Sequence, residues 1–487
     1  MRRLPLALSG LVMTLMLGGC LLGPNYSRQP VETPANWRFA SGETADTANT
    51  EWWKQFQDPV LDELIDTALA NNKDVKIAAA RIDQFMGQFV TTRAALFPQV
   101  SAGATASRQR ASQAGPQPLA GFGPVFNDYE VSVSAAWELD VFGRNRRLTE
   151  SARANLLSSI EGRRATILSL VASVASSYLN LRSLDKQLEI AKATTDSRAE
   201  SVHVFTLRFE GGEVSQMELA QSQSEYEASL ATIPQLETSI AQQEDALSIL
   251  LGDNPGPILR GRTLGEMATP VIPAGLPSDL LERRPDLLQA EQDLVAANAL
   301  IGAARALYFP QISLTGLLGT ASGQFSSLFT GPSRVWSFAG QVTQPIFTAG
   351  NISGQVQSAE AQQRGALLTY QKAIQVAFQE VDDALIASTK LHEQLETQGR
   401  QVTALSTYSR LARARYEGGY TSYIEVLDAE RSLFNAQLSL TQTQAAALVS
   451  FVTLYKVMGG GWVVAADKLT TQQGAAPSAS STPQTVQ

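Results

Sequence analysis

One short helical stretch holds the densest set of chemically able side chains in this chain of 487 residues. Ile424, Glu425, Asp428 and Arg431 follow one another at spacings that place them on a single helix face. Asp428 and Arg431 are suited to an ion pair, with Glu425 as a second carboxylate and Ile424 as an apolar neighbour. On the residues alone two readings stay open. The face is either ordinary solvated surface, with a local pair worth about 0.2–0.5 kcal/mol, or a working site. Nothing else competes with it. The two histidines, His203 and His392, stand alone in helical stretches, with no Cys, His or acidic cluster at metal-ligand spacing around them. No nucleophile–histidine arrangement and no phosphate loop occurs, so an enzyme is not expected, nor a metal. A formal charge of −8 argues against a nucleic-acid partner.

The only cysteine, Cys20, is a candidate of a different kind. Arg2 and Arg3 precede an apolar run from Leu4 to Leu17, which reads as a signal peptide over residues 1–19. Gly18 and Gly19 directly before Cys20 resemble a bacterial lipobox. On that reading Cys20 becomes the mature N-terminus and carries N-acyl and diacylglycerol chains, each CH₂ adding roughly 0.8 kcal/mol of membrane affinity. Leu21, in place of an aspartate, points to the outer membrane. An ordinary secretory peptide with an incidental thiol is the alternative.

The elements that position these residues come in two copies. RAALFPQVSAG at Arg93–Gly103 returns as RALYFPQISLTG at Arg305–Gly316, and RFEGGEVS at Arg208–Ser215 returns as RYEGGYTS at Arg415–Ser422. The copies span 59–252 and 277–462, with a lipidated tether and equatorial segment at 20–58, a connector at 253–276 and a C-terminal tail at 463–487 that is expected to be largely disordered and is low in complexity from Thr470 onward. Each copy predicts a helix, a strand pair, a very long helix, a tight turn and a returning helix. The strands, near 98–108, 128–140, 310–320 and 334–346, alternate with period two. Tyr129, Val131, Val133, Ala135, Trp137 and Leu139 fall on one face and Glu130, Ser132, Ser134, Glu138 and Asp140 on the other. That pattern fits a membrane β-barrel strand, or a half-buried strand of a soluble sheet. Trp137, Trp336, Phe338 and Phe347 are candidates for an aromatic belt.

Proline-free stretches predict two helices of roughly 60 residues, near 149–208 and 351–416, each about 90 Å long at 1.5 Å per residue. They end at tips near 210–214 and 417–421, where Gly211, Gly212, Gly418 and Gly419 suit a left-handed cap. Ser215 and Ser422 suit N-caps of the returning helices.

Two strand pairs per chain cannot close a barrel. An open sheet edge in lipid leaves backbone groups unsatisfied at several kcal/mol each. The chain is therefore expected to assemble, as a dimer with eight strands or a trimer with twelve.

Several motifs together resemble an outer-membrane factor of resistance–nodulation–division (RND) efflux pumps, the OprM-like branch of the TolC superfamily. They are EWWKQFQDPVLDELIDTALANN at Glu51–Asn72, ERRPDLLQAEQDLVAANALIGAARALYFPQISLTG at Glu282–Gly316, YEGGYTSYIEVLDAERSLFNAQ at Tyr416–Gln437 and LYKVMGGGW ending at Trp462. The resemblance implies an α+β membrane protein: a homotrimer with a twelve-stranded β-barrel, four strands per chain, continuous with a twelve-helix periplasmic α-barrel. It also implies a passive exit duct that docks to a periplasmic membrane-fusion adaptor and an inner-membrane RND transporter. At the matching positions Ile424 would form an apolar ring and Asp428 an acidic ring, with Arg431 in the network that shuts the periplasmic mouth. Three Asp428 carboxylates brought toward one axis would repel one another or recruit a cation. The glycine tips would be the adaptor-docking points. Export of proteins by a type I secretion system is the alternative within the channel class, and a lipid-tethered coiled-coil spacer the alternative outside it.

Aligned at an offset of 207, Ile424, Glu425, Asp428 and Arg431 fall opposite Met217, Glu218, Gln221 and Ser224. Both copies keep the glutamate, and only the second carries the Asp/Arg pair.

Overall fold

The computed structural model describes residues 21–28, 30, 37–39, 51–110, 112, 125–268, 270, 280–459, 462–464 and 467. Cys20, the signal peptide and almost all of the C-terminal tail lie outside the described residues. In chain order the helices are α1 (Pro59–Asn71), α2 (Lys73–Ala94), α3 (Arg144–Glu210), α4 (Gln216–Leu251), the single turn α5 (Leu280–Arg283), α6 (Pro285–Ala306), α7 (Asn351–Glu417) and α8 (Tyr423–Val457). The strands are β1 (Gln99–Arg110), β2 (Val125–Leu139), β3 (Gln311–Ser322) and β4 (Arg334–Thr343). The chain divides into two compact units, and each draws on both sequence copies.

The unit formed by residues 81–160 and 289–371, with the N-terminal residues, holds the sheet. Its order is β1-β2-β3-β4, antiparallel throughout, leaving β1 and β4 as edges without a partner among the described residues. The register keeps one face apolar except toward its loop end, where Arg108, Arg110 and Arg334 fall on it. Leu318 stands opposite Trp336 and Gly316 opposite Phe338, and Trp336 and Phe338 are 77% and 71% exposed. Large apolar side chains held this far from protein contact suit hydrocarbon. The other face is small and polar, with the Ser101 and Ser134 hydroxyls 2.8 Å apart. Gly319 is required there, since a Cβ would sit 2.4 Å from the Val131 carbonyl.

Four strand ends differ from the expected ones by two residues or more, among them that of β3, which runs to Ser322 through its pairing with Tyr129. β1 runs to Arg110 and β2 starts at Val125 because backbone pairing continues through polar residues where the alternation fades. β4 stops at Thr343, ahead of Pro345, which has no N–H to give a ladder.

Leu21–Arg28 form a strap on this unit. Arg147, fully buried, donates to the Leu22 carbonyl (2.9 Å), the Gly23 carbonyl (3.2 Å) and Asn25 Oδ1 (2.8 Å). Further along the strap, Tyr26 and Arg28 donate to Glu291 at 2.9 and 2.7 Å. The expected extended tether is thus pinned at its start by a side chain that composition could not single out.

The second unit, residues 31–80, 161–288 and 372–487, holds the main core. Trp52 stacks on Tyr455 with ring centroids 5.4 Å apart, and Trp53 meets Trp462 edge-on at 4.9 Å. Ile167, Val171, Tyr178, Leu247 and Val452 pack around them. Pro285 opens α6, where its missing N–H forfeits no helical hydrogen bond. Arg284, buried, ties that turn to Asp286 (2.8 Å), Glu380 (2.7 Å) and the Val457 carbonyl (3.3 Å).

Both long helices have 67 residues. α3 begins ahead of the expected residue 149 because Asp140 accepts from the backbone N–H of Asn145 (3.0 Å) and Arg146 (2.8 Å). That carboxylate satisfies two of the orphan donors of the first turn.

Asp58 caps α1 and is fully buried. It accepts from the N–H of Val60 (3.0 Å), the Tyr178 hydroxyl (2.8 Å) and the N–H of Arg262 (3.0 Å). Asp58→Ala strips all three donors of their acceptor and should cost about 2–4 kcal/mol. Thermal unfolding of the detergent-solubilised protein, followed by circular dichroism, should show a clearly lowered midpoint.

Candidate functional site

Both hairpin tips close by the same backbone device. At the first, the N–H of Gly212 donates to the Phe209 carbonyl (3.0 Å) and that of Glu213 to the Arg208 carbonyl (2.8 Å). At the second, Gly419 and Tyr420 repeat it onto Tyr416 and Arg415, each at 2.9 Å. This is the paired closure that a left-handed residue permits at a helix C-terminus. Gly212 and Gly419 both have φ of 74°, so only one glycine of each pair carries the conformational demand. Gly211 and Gly418 continue the helical path.

The returning helices start differently. Ser215 forms a complete capping box with Glu218, whereas Ser422 occupies the same place and makes no side-chain cap bond. The N-cap expected at Ser422 is present in backbone position only. Its would-be box partner, Glu425, instead faces Arg415 of α7 at 4.0 Å.

The four residues of the candidate face lie where their spacing puts them. Tyr423, Val426, Leu427 and Ala429 bury the opposite face of α8 against Phe205 and Ala412. Ile424 is left 54% exposed, and the Asp428 and Arg431 side chains are about equally exposed. Arg431 donates to Asp428 Oδ1 at 2.9 Å. Exposure on both sides screens this pair, so within one chain it is a weak hold. Any larger effect has to come from bringing copies together.

Three contacts around the face escaped the sequence reading. Glu430 accepts from Arg413 of α7, and that bond holds the Arg413 guanidinium firmly in its charged form. Arg198, buried on α3, donates to the Glu225 carbonyl (2.7 Å), pairs with the Glu225 carboxylate (3.1 Å) and lies over the Phe434 ring of α8 at 5.5 Å. Tyr423 meets Phe205 at 4.0 Å and Tyr416 at 5.2 Å. Burial pushes its ionisation upward, so it stays a neutral hydrogen-bonding group. Arg198 and Tyr423 thus tie the second hairpin to the first. Their partners lie on other helices, beyond the reach of any i, i+3 or i, i+4 rule.

No group of three or more His, Cys, Asp or Glu side chains able to hold a metal occurs among the described residues. The arrangement is one of interhelical latches beside a charged face.

The sequence profile of the family described as outer membrane efflux protein matches residues 64–253 and 276–460, one match on each copy. The toluene efflux pump outer membrane protein TtgC of Pseudomonas putida is 39% identical over 463 residues, covering 93% of this chain and 95% of TtgC. The probable outer membrane lipoprotein SilC of Salmonella typhimurium is 35% identical over 454 residues, covering 92% and 97%. Among solved structures, the open state of the Neisseria gonorrhoeae MtrE outer membrane channel superimposes with a TM-score of 0.81 at 32% identity, covering 91% of this chain and 99% of MtrE.

Proposed function

The chain belongs to the outer membrane efflux protein family, and from that premise we propose that it is the exit duct of a tripartite RND-type pump, assembled as a homotrimer. It is an outer-membrane efflux channel. The observation that carries the finer reading is the four-stranded sheet with an apolar face and two open edges. Three copies supply twelve strands, enough to close a barrel around a lumen. The helical hairpins then supply twelve helices for a periplasmic tunnel. A periplasmic adaptor docks at the tips around Gly211–Gly212 and Gly418–Gly419, and an inner-membrane transporter provides the energy. Cys20 carries the lipid. The cargo is small and toxic, such as the toluene for which the relative TtgC is named. No observation here favours export of proteins, and the relatives are named for efflux.

A deletion strain tests this reading. It should accumulate solvents and amphiphilic dyes, and the cloned gene should restore their export together with co-purification of an RND-type adaptor. Gly212→Leu and Gly419→Leu should weaken that co-purification. Normal accumulation in the deletion strain, or capture of an ABC-linked adaptor instead, would refute it.

The face of Ile424, Glu425, Asp428 and Arg431 is the periplasmic gate in this account. Across a three-fold axis Ile424 forms an apolar constriction and Asp428 an acidic ring held by Arg431. Asp428→Ala and Arg431→Ala should each raise the closed-state conductance of the reconstituted channel severalfold. Unchanged conductance in both variants would remove the gate from these residues.

A further inference from the structure

The polar face of the sheet is not neutral. Strand register assigns every residue of β1–β4 to one of two faces, and the apolar face carrying Leu318, Trp336 and Phe338 belongs to lipid. The opposite face is the lumen. Its only charged residues are Asp128, Glu130 and Glu138, all on β2 and all acidic. The arginines of the strands, Arg108, Arg110 and Arg334, fall on the other parity.

The three acids differ in their surroundings. Glu138, at the helix end of β2, is paired with Arg144 at 3.1 Å, so its charge is largely offset locally. Asp128 and Glu130 lie toward the opposite end, opposite Ser107 and Thr105 on β1. Neither takes part in an ion pair among the described residues. The loops beyond them bring no counter-charge, because residues 111–124 and 323–333 contain no Lys, Arg, Asp or Glu at all. β1 ends at Arg110 and β2 starts at Val125, and β3 ends at Ser322 and β4 starts at Arg334, at the sheet end away from α2, α3, α6 and α7; in the trimeric reading this end of the strands is the external one.

We infer that Asp128 and Glu130 form an external charge filter, which makes the outer mouth of the channel prefer cations over anions. This rests on the trimeric reading above, since the field needs a closed lumen. Twelve strands spaced about 4.8 Å apart and tilted about 40° give a Cα radius of about 12 Å. The Debye length is about 10 Å at 0.1 M salt and about 3 Å at 1 M. Two carboxylates from each of three copies therefore reach across the lumen in dilute salt and only the wall layer in concentrated salt. Low-dielectric walls focus such a field. No ion needs to be bound: the filter works by raising local cation concentration and excluding anions, so cationic amphiphiles leave more readily than anionic ones.

The test is the reversal potential of the full-length, lipidated channel in planar bilayers under a KCl gradient, with the dilute bath of about 0.1 M placed first outside, then on the periplasmic side. With the dilute bath outside, the Asp128→Asn/Glu130→Gln pair should lower the cation-to-anion permeability ratio about twofold or more. Glu130→Lys should move it further toward anions. Asp428→Asn should act mainly in the opposite orientation. Raising both baths to about 1 M should erase most of the difference. Conductance with an unchanged ratio in both barrel variants, or a change confined to Asp428→Asn, would overturn the filter. Absence of any conductance from the wild-type protein would instead defeat the channel reading on which it rests.

Discussion

Hydrogen-bond closure at the two sheet edges is the constraint on which the other features depend. β1 and β4 each present a row of N–H and C=O groups with no partner strand among the described residues. Water could satisfy them, but the apolar face of the same strands demands hydrocarbon, which could not. An unsatisfied backbone group in lipid costs several kcal/mol, so an edge of ten or twelve residues outweighs the whole stability of a typical domain. The folded sheet and the assembly are therefore one event. Closure also explains why an internal duplication was useful. Each copy supplies one strand hairpin, and the two hairpins join through β2 and β3 with no sacrifice of register.

The same duplication then permitted a division of labour at the other end of each long helix. Both tips turn on an identical backbone closure, which fixes the hairpin geometry without side chains. That leaves the first residues of the returning helix free to differ. In α4 the glutamate is spent on a capping box with Ser215. In α8 its counterpart, Glu425, is released toward Arg415, and the Asp428–Arg431 pair is added beside it. The buried contacts of Tyr423 and Arg198 hold this altered face against the first hairpin, so a change in the exposed residues need not disturb packing.

Much of the fold was legible because membrane strands and long helices are periodic. The alternation from Tyr129 to Leu139 and the absence of proline over long stretches are one-dimensional signals, and they placed the strands and helices within a few residues. Glycine pairs marked the tips, because a left-handed closure leaves few other choices. The face of Ile424, Glu425, Asp428 and Arg431 was legible for the same reason: its residues lie within two helical turns. What could not be read were contacts between distant segments. Arg147 clamping Leu22–Asn25, Arg284 reaching Glu380 and Arg198 lying over Phe434 depend on how helices pack, and nothing local distinguishes these arginines from the rest. Ser422 shows the converse limit. Its spacing fits an N-cap, yet the interaction that would complete the cap went to a partner on a neighbouring helix.

The central claim is that β4 of one copy closes against β1 of the next, three times around. The chain has a single native cysteine, Cys20, so thiols introduced in the edge strands report directly on that pairing. Variants with one cysteine on the polar face of β1 (Ser101 or Gly103) and one on that of β4 (Ser337 or Ala339) can be oxidised in intact outer membranes and separated without reductant. Closure of three copies yields a ladder of cross-linked species that ends at three chains. Cross-linking that never exceeds a single chain, or a ladder that runs past three, would contradict the account.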